Sequence, residues 1–242
     1  MASLYLASDL TDRDVVAGSV VQVTGDEARH AITVARVRVG EKLSVSDGDG
    51  LLAFGTVTST EGGIVSVEVE SAARHPAPLP ELWLAQALAK GDRDELAVQA
   101  ATELGVAGVI PWAAERSISR WEGVKAAKGR DRWASIVREA TKQSIRPRVP
   151  VVEPIASTGA LTKLPGRILV LEPDATTRLT EVELDGDRIT LVVGPEGGIA
   201  PRELDAFAAA GATLVRLGPE VLRTSTAGPA ALAVLNTRLG RW

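Results

Sequence analysis

Two segments near the C-terminal end hold residue types at a spacing that could form a reactive pocket. Val192–Gly198 reads VVGPEGG, and Leu217–Gly228 reads LGPEVLRTSTAG. Each joins an apolar run to a loop of glycine and proline, and then to the start of a helix. Glycine lets a backbone approach a ligand closely, and proline fixes the turn that presents it. The ionisable groups in these loops are Glu196, Glu220 and Arg223. Two such loops on neighbouring strand ends make a small-molecule pocket.

Composition and motifs narrow the molecule. A Gly-x-x-x-x-Gly-Lys-Ser/Thr loop is absent, and no Gly-x-Gly-x-x-Gly follows the first strand of the second half; Gly48, Gly50 and Gly55 are misspaced. With no cysteine, thiolate nucleophiles, Cys-ligated zinc and iron–sulfur clusters are excluded. Two histidines, His30 and His75, make a His-rich metal site improbable, so no metal is expected. No Gly-x-Ser-x-Gly elbow is present. The backbone groups and single carboxylate of Gly194-Pro195-Glu196-Gly197-Gly198 suit a ligand with an adenine edge, a ribose and a cationic or zwitterionic tail better than a polyphosphate. The competing reading is a tight strand-to-helix turn, with Pro201 at the helix start and Glu196 in solvent.

The elements that must position these loops are those of an α/β protein. From Glu81 onward apolar runs (LWLAQAL, VAGVIPW, RILVLEP, RITLVVG, ATLVRLG) alternate with helical stretches, among them 92–104, 129–144 and 224–239. That alternation predicts a parallel sheet covered on both faces, with ligands at the carboxyl ends of the strands. Residues 1–72 instead hold short β-branched runs broken by Gly and Asp, with a turn at Asp47-Gly48-Asp49-Gly50 and a short helix over 26–34. This predicts a small β-barrel. Residues 73–80, with Pro76, Pro78 and Pro80, read as the linker to the second domain at 81–242. The N-terminus lacks a leader pattern, and no apolar run reaches the roughly 18 residues of a membrane helix. A cytoplasmic protein without a membrane partner is expected.

A net charge of −4 hides an asymmetry. Between Arg116 and Arg148 there are ten basic and three acidic residues, with Trp121 and Trp133 interleaved. Either this is a solvated helix face whose long side chains cover the tryptophans, or it is a surface that tracks phosphates.

The motifs form an ordered set. His30 and Arg36 precede Val39-Gly40-Glu41; Lys90-Gly-Asp-Arg93-x-Glu95 and ATELGV (101–106) follow. Then come Pro111, Glu115-Arg116-Ser117, Arg132-Trp133, Gln143-Ser144-x-Arg146, GPEGG and LG-x-x-V-LRT-x-TA. In order and spacing this set resembles the 16S ribosomal RNA uracil-N3 methyltransferases, the RsmE-type branch of the SPOUT class. The resemblance implies a PUA-like RNA-binding barrel followed by a SPOUT-type parallel sheet with a C-terminal trefoil knot. It also implies S-adenosyl-L-methionine as methyl donor, a homodimer, and 16S ribosomal RNA of the small subunit as partner. Carried over by motif, the cofactor positions are Leu171, Glu172, Gly194 to Gly198, Leu217, Gly218, Leu222, Thr224 and Ser225. The family usually has Glu where this chain has Ser225.

Within that resemblance the chemistry is methylation at uracil N3. The N3 proton must leave before or during attack, so a base or a cation that stabilises the uracil anion is needed. C5 methylation commonly uses a thiolate adduct, which a chain without cysteine cannot form. Arg223 is the candidate for stabilising the anion and Glu196 the weaker candidate base. Arg223 could equally hold its loop by an ion pair to Glu196 or Glu220. RNA contact is expected from His30, Arg36 and Arg38 in the barrel, and from Lys90, Arg93, Arg116, Arg120 and Arg146 in the α/β part. Two further readings stay open: a non-catalytic RNA-binding assembly factor, and a knotted methyltransferase with another RNA target.

Overall fold

A computed structural model describes residues 3–7, 10 and 15–242. Part of the N-terminal stretch on which the leader reading rests lies outside the described residues. The chain divides into two compact units, Met1–Ala77 with Thr141–Val149, and Pro78–Ala140 with Pro150–Trp242.

The first unit is a five-stranded sheet in the order β1-β3-β4-β5-β2. Its strands are β1 (Ser3–Leu6), β2 (Val20–Val23), β3 (Lys42–Ser46), β4 (Leu51–Ser59) and β5 (Val65–Arg74). β1 runs parallel to β3, and the other pairs are antiparallel. In β4 the alternating residues Leu51, Ala53, Gly55 and Val57 are buried, as a strand with one face on the core requires. β5 pairs with β4 as far as Arg74 opposite Leu51, so the strand runs past residue 72. The turn at 47–50 is an Asx turn, with Asp47 Oδ1 accepting the amides of Asp49 at 2.6 Å and Leu51 at 3.0 Å. The expected short helix is α1 (Gly25–Arg29), which widens into a π-helical turn over His30–Val34.

The 141–149 stretch groups with this sheet rather than with the α/β unit. Pro147 O accepts the Gly50 amide at 2.9 Å and the Ser46 hydroxyl at 3.0 Å, and Val149 N donates to Gly48 O at 2.9 Å. Arg146, expected in the α/β part, is therefore a residue of the first unit.

The second unit is a six-stranded, fully parallel sheet in the order β11-β9-β10-β6-β7-β8. The strands are β6 (Glu81–Ala87), β7 (Gly108–Trp112), β8 (Val151–Val152), β9 (Arg167–Leu171), β10 (Arg188–Val193) and β11 (Thr213–Val215). β6 and β10 are buried along nearly their whole length, the signature of a parallel sheet covered on both faces. The helices are α2 (Arg93–Glu103), α3 (Val124–Gln143), α4 (Thr158–Leu161), α5 (Pro201–Ala209) and α6 (Thr224–Arg238). Alternate residues of β6 face opposite ways. Trp83, Ala85 and Ala87 join a cluster with Trp112 and Phe207 of α5, whose rings meet edge to face at 5.7 Å. Leu84 faces α6, where a Cβ on Gly228 would lie 3.1 Å from its side chain.

Two elements differ from the sequence expectation. α3 begins at Val124, not at 129, and passes through Gly129. The glycine inside the helix leaves room for Trp121, whose ring occupies the space of a Cβ at Gly129, 2.4 Å away. No helix joins β9 to β10; the connection over 172–187 is turns and irregular chain. No helix among the described residues is long and apolar enough to cross a membrane.

Candidate active site

The sheet order brings the ends of β11, β9 and β10 side by side, and the loops after all three converge on one cavity of about 660 Å³. Its wall includes Leu171 and Glu172 after β9, Gly194, Pro195, Glu196 and Gly198 after β10, and Leu217, Gly218, Leu222, Arg223 and Thr224 after β11. Gly197 and Ser225, the two other expected cofactor positions, are not part of the wall. The Gly197 carbonyl is taken up by Arg116, whose Nη1 donates to it at 3.1 Å. Ser225 sits in the first turn of α6, half-buried.

The GPEGG loop is shaped from several sides. Gly198 turns the chain at φ 72°, with its amide donating to Pro195 O at 2.9 Å. Gly194 has no room for a side chain, since a Cβ would lie 2.7 Å from Ile199. Pro201 then opens α5, where its missing N–H costs nothing. Buried Glu203 fixes that helix start: its carboxylate accepts the Ala200 amide at 3.2 Å, the Glu115 amide at 3.0 Å and the Thr158 hydroxyl at 2.6 Å. The same side chain thus ties the 194–200 loop to the Glu115-Arg116-Ser117 segment.

Glu196 is committed to this framework. Its Oε1 accepts the Arg93 guanidinium at 2.8 Å and the Lys90 amide at 3.2 Å. Burial pushes its carboxyl up, but the amide hydrogen bonds and Arg93 outweigh that and hold it below the ordinary carboxylate range. A carboxylate held this way is a poor proton acceptor, so the geometry does not favour Glu196 as the base. Arg223 is different. It is exposed at the cavity, caps α6 with its backbone, and among the described residues forms no ion pair with Glu196, Glu220 or any other group.

The cations of the wall are Arg93, Arg116, Arg216 and Arg223, and its acids are Glu172, Asp174, Glu196 and Glu220. Balanced charge of this kind does not suit a polyphosphate, which draws an excess of cations. Mixed with the apolar side chains of Leu171, Val193, Val215 and Leu217, it suits a zwitterion with an aromatic portion.

The expected RNA-binding residues scatter. His30, Arg36, Arg38 and Lys90 are exposed, and Arg36 adopts a left-handed backbone at φ 55°, unusual for a side chain of its size. Arg146 is half-buried, and desolvation lowers its guanidinium to about 10. Much of the basic segment has internal partners. Arg120 donates to the carbonyls of Ala114 at 3.3 Å and Glu115 at 3.0 Å, Arg130 to that of Val152 at 2.9 Å, and Arg132 pairs with Glu95 at 2.8 Å. Lys125 and Lys128 remain exposed on α3. Trp133 is fully buried and Trp121 half-buried against it, ring centroids 5.3 Å apart, so these aromatics build the helix packing.

Three residues of the framework escaped the sequence reading. Gln86 is a polar side chain in the apolar run LWLAQAL, which was its only signal. Glu203 stands three residues after Ala200, the residue that caps α5, at the capping-box spacing. Asp94, the unassigned position of the Lys90–Glu95 motif, is buried and accepts the Ala89 amide at 3.2 Å; burial raises its carboxyl. Among the described residues no group of three or more His, Asp or Glu could hold a metal ion.

Similarity to known proteins agrees with this architecture. Residues 75–236 match the RNA methyltransferase domain family, and residues 23–70 match the RNA methyltransferase PUA domain. Ribosomal RNA small subunit methyltransferase E of Mycobacterium bovis is 40% identical over 250 aligned positions, spanning 100% of this chain and 94% of that protein. The Bacillus subtilis protein of the same name is 30% identical over 240 positions, covering 94% of each. The crystal structure of ribosomal RNA small subunit methyltransferase E from Neisseria gonorrhoeae, bound to S-adenosyl methionine, superposes with a TM-score of 0.86 at 31% identity, covering 98% of both chains. The first unit is thus PUA-like and the second an α/β sheet of the SPOUT type, and the chain belongs to the ribosomal RNA small subunit methyltransferase E family.

Proposed function

We propose that this protein transfers a methyl group from S-adenosyl-L-methionine to N3 of a specific uridine in 16S ribosomal RNA of the small ribosomal subunit. The observation that carries the reading is the convergence of three strand-end loops on one charge-balanced cavity, with exposed Arg223, without an ion pair among the described residues, in its wall. The residues present fit the donor: a wall of backbone groups, apolar side chains and carboxylates, large enough for a nucleoside with an amino-acid tail. When bound, S-adenosylmethionine supplies an electrophilic methyl carbon on a sulfonium.

The chain's part is to bind, orient and stabilise charge. Leu171, Leu217 and Leu222 supply apolar walls, and Gly194, Gly198 and Gly218 supply accessible backbone. Glu172 is the nearest carboxylate to the end of β9 and is available to a hydroxyl or cation of the donor. The N3 proton passes to solvent water, and the Arg223 guanidinium stabilises the negative charge left on the uracil. Glu196 holds its loop through Arg93 and takes no proton in this reading. The target base must be unstacked to reach the cavity, at about a few kcal/mol. RNA contact is assigned to exposed His30, Arg36, Arg38 and Lys90, with Arg93, Arg116, Arg120 and Arg146 shared between the fold and the nucleic acid. The reading includes the knotted topology, homodimer and cytoplasmic setting that the family resemblance implies.

Incubating purified small subunits with the protein and methyl-labelled donor, then digesting the RNA to nucleosides, tests the assignment. Label in N3-methyluridine is expected. Label in a ribose-methylated nucleoside, or none, would overturn it.

A further inference from the structure

Gln86 is fully buried on β6 and is not part of the cavity wall. Its Nε2 donates to Ala87 O at 3.2 Å and to Thr224 Oγ1 at 2.8 Å, and the Thr224 hydroxyl donates onward to Gly194 O at 2.8 Å. This chain of bonds joins the middle of the sheet, the first turn of α6 and the first residue of the GPEGG loop. Thr224 ends one cavity loop and Gly194 begins the other. The partners also fix the amide's orientation, because the Ala87 carbonyl can only accept. Gln86 Oε1 is buried without a hydrogen-bond partner among the described residues. An apolar side chain of similar size would avoid that unsatisfied oxygen, so core packing alone does not account for a glutamine here.

We propose that Gln86 is a positioning residue for the donor pocket: acting through Thr224, it sets the gap between Gly194 and the start of α6, and with it the separation of the two cavity loops. The proposal rests on the donor-binding reading above. The two Gln86 bonds are buried and the Thr224–Gly194 bond partly so, which limits competition from solvent, and the spacing they impose is present before any ligand arrives.

Titration calorimetry of the full-length protein with S-adenosylhomocysteine, paired with thermal melts, tests this on Gln86→Leu, Thr224→Val, Thr224→Ser and the Gln86→Leu, Thr224→Val double variant. Gln86→Leu and Thr224→Val should each weaken binding by about tenfold, the scale of one net hydrogen bond. The double variant should bind no more weakly than Thr224→Val alone, because both act on one path. Thr224→Ser, which keeps the hydroxyl, should bind more tightly than Thr224→Val. The melting temperature of Gln86→Leu should stay close to the parent's, since the orphan oxygen leaves with the amide. Additive losses, an unchanged affinity in Gln86→Leu, or a melting temperature that falls in step with affinity would overturn the proposal. Should Gln86→Leu not fold, Gln86→Met keeps the length without the amide and is read by the same criteria. Absence of binding by the parent protein would instead overturn the donor-binding reading, and this proposal with it.

Discussion

Arg93 donates from Nη1 to Oε1 of Glu196 at 2.8 Å, across 103 positions of sequence. The bond fastens the first residue of α2 to the GPEGG loop, so a cation expected to contact RNA also shapes the cavity. An exposed phosphate that engaged Arg93 would compete with Glu196 for it. Under the proposed function, RNA contact at Arg93 and donor binding would be linked through this pair, and linkage of that kind is reciprocal.

The pair gives a pH prediction. The Glu196 carboxyl is held below its ordinary range in the folded protein. A lowered folded value means that the stabilisation is present above the unfolded value of about 4.3 and is lost as the pH falls through the lower folded one. Both side chains are partly exposed, so the contribution is under about 1 kcal/mol. Urea unfolding of the parent and Glu196→Gln across pH 3 to 8 should show a small constant gap at neutral pH that closes on acidification.

Arg223→Met tests the charge-stabilising role. With no ion pair to lose among the described residues, the variant should melt at the parent temperature. Removing a donor aimed at developing negative charge typically costs about 10²–10³ in kcat. Single-turnover methylation of small subunits should show that loss, while S-adenosylhomocysteine affinity changes by less than about threefold. A variant with near-parental turnover would remove Arg223 from the mechanism.

How far the sequence exposed this fold depended on the range of the forces involved. β4 and β10 announce themselves because burial on one face gives alternation and burial on two faces gives a continuous apolar run. The cavity loops were legible for the same local reason, since glycine and proline act on their own backbone. Gln86, Glu203 and Asp94 were missed because their partners lie in distant parts of the chain or in backbone amides, which no side-chain pattern reports. The basic segment stayed between two readings for the same reason. Charge is visible in sequence, whereas the carbonyls and carboxylates that engage Arg116, Arg130 and Arg132 are not.

Gly129 shows the same difficulty on a helix. Glycine normally weakens a helix interior by about 1 kcal/mol relative to alanine, so Gly129→Ala would stabilise an isolated α3. Here the added methyl would meet the Trp121 ring at 2.4 Å. Displacing that ring also disturbs its edge contact with Trp133. Gly129→Ala is expected to lower stability by about 1–3 kcal/mol. Removing the ring in Trp121→Ala, Gly129→Ala should recover part of it relative to the additive expectation, measured by chemical denaturation.

Arg36 sets stability against binding at one position. Its left-handed backbone, at φ 55°, costs a residue with a Cβ about 1–2 kcal/mol, and glycine avoids that cost. Glycine also enlarges the unfolded ensemble by about 0.4–1 kcal/mol, which offsets part of the gain. Arg36→Gly should therefore unfold at equal or slightly higher denaturant than the parent. If the exposed guanidinium contacts an RNA phosphate, the same variant should bind small-subunit RNA more weakly, and the slope of log K against log salt should fall by about one. An unchanged slope with higher stability would mean that Arg36 makes no phosphate contact. A large loss of stability would mean instead that its side chain supports the turn after the π-helical segment His30–Val34.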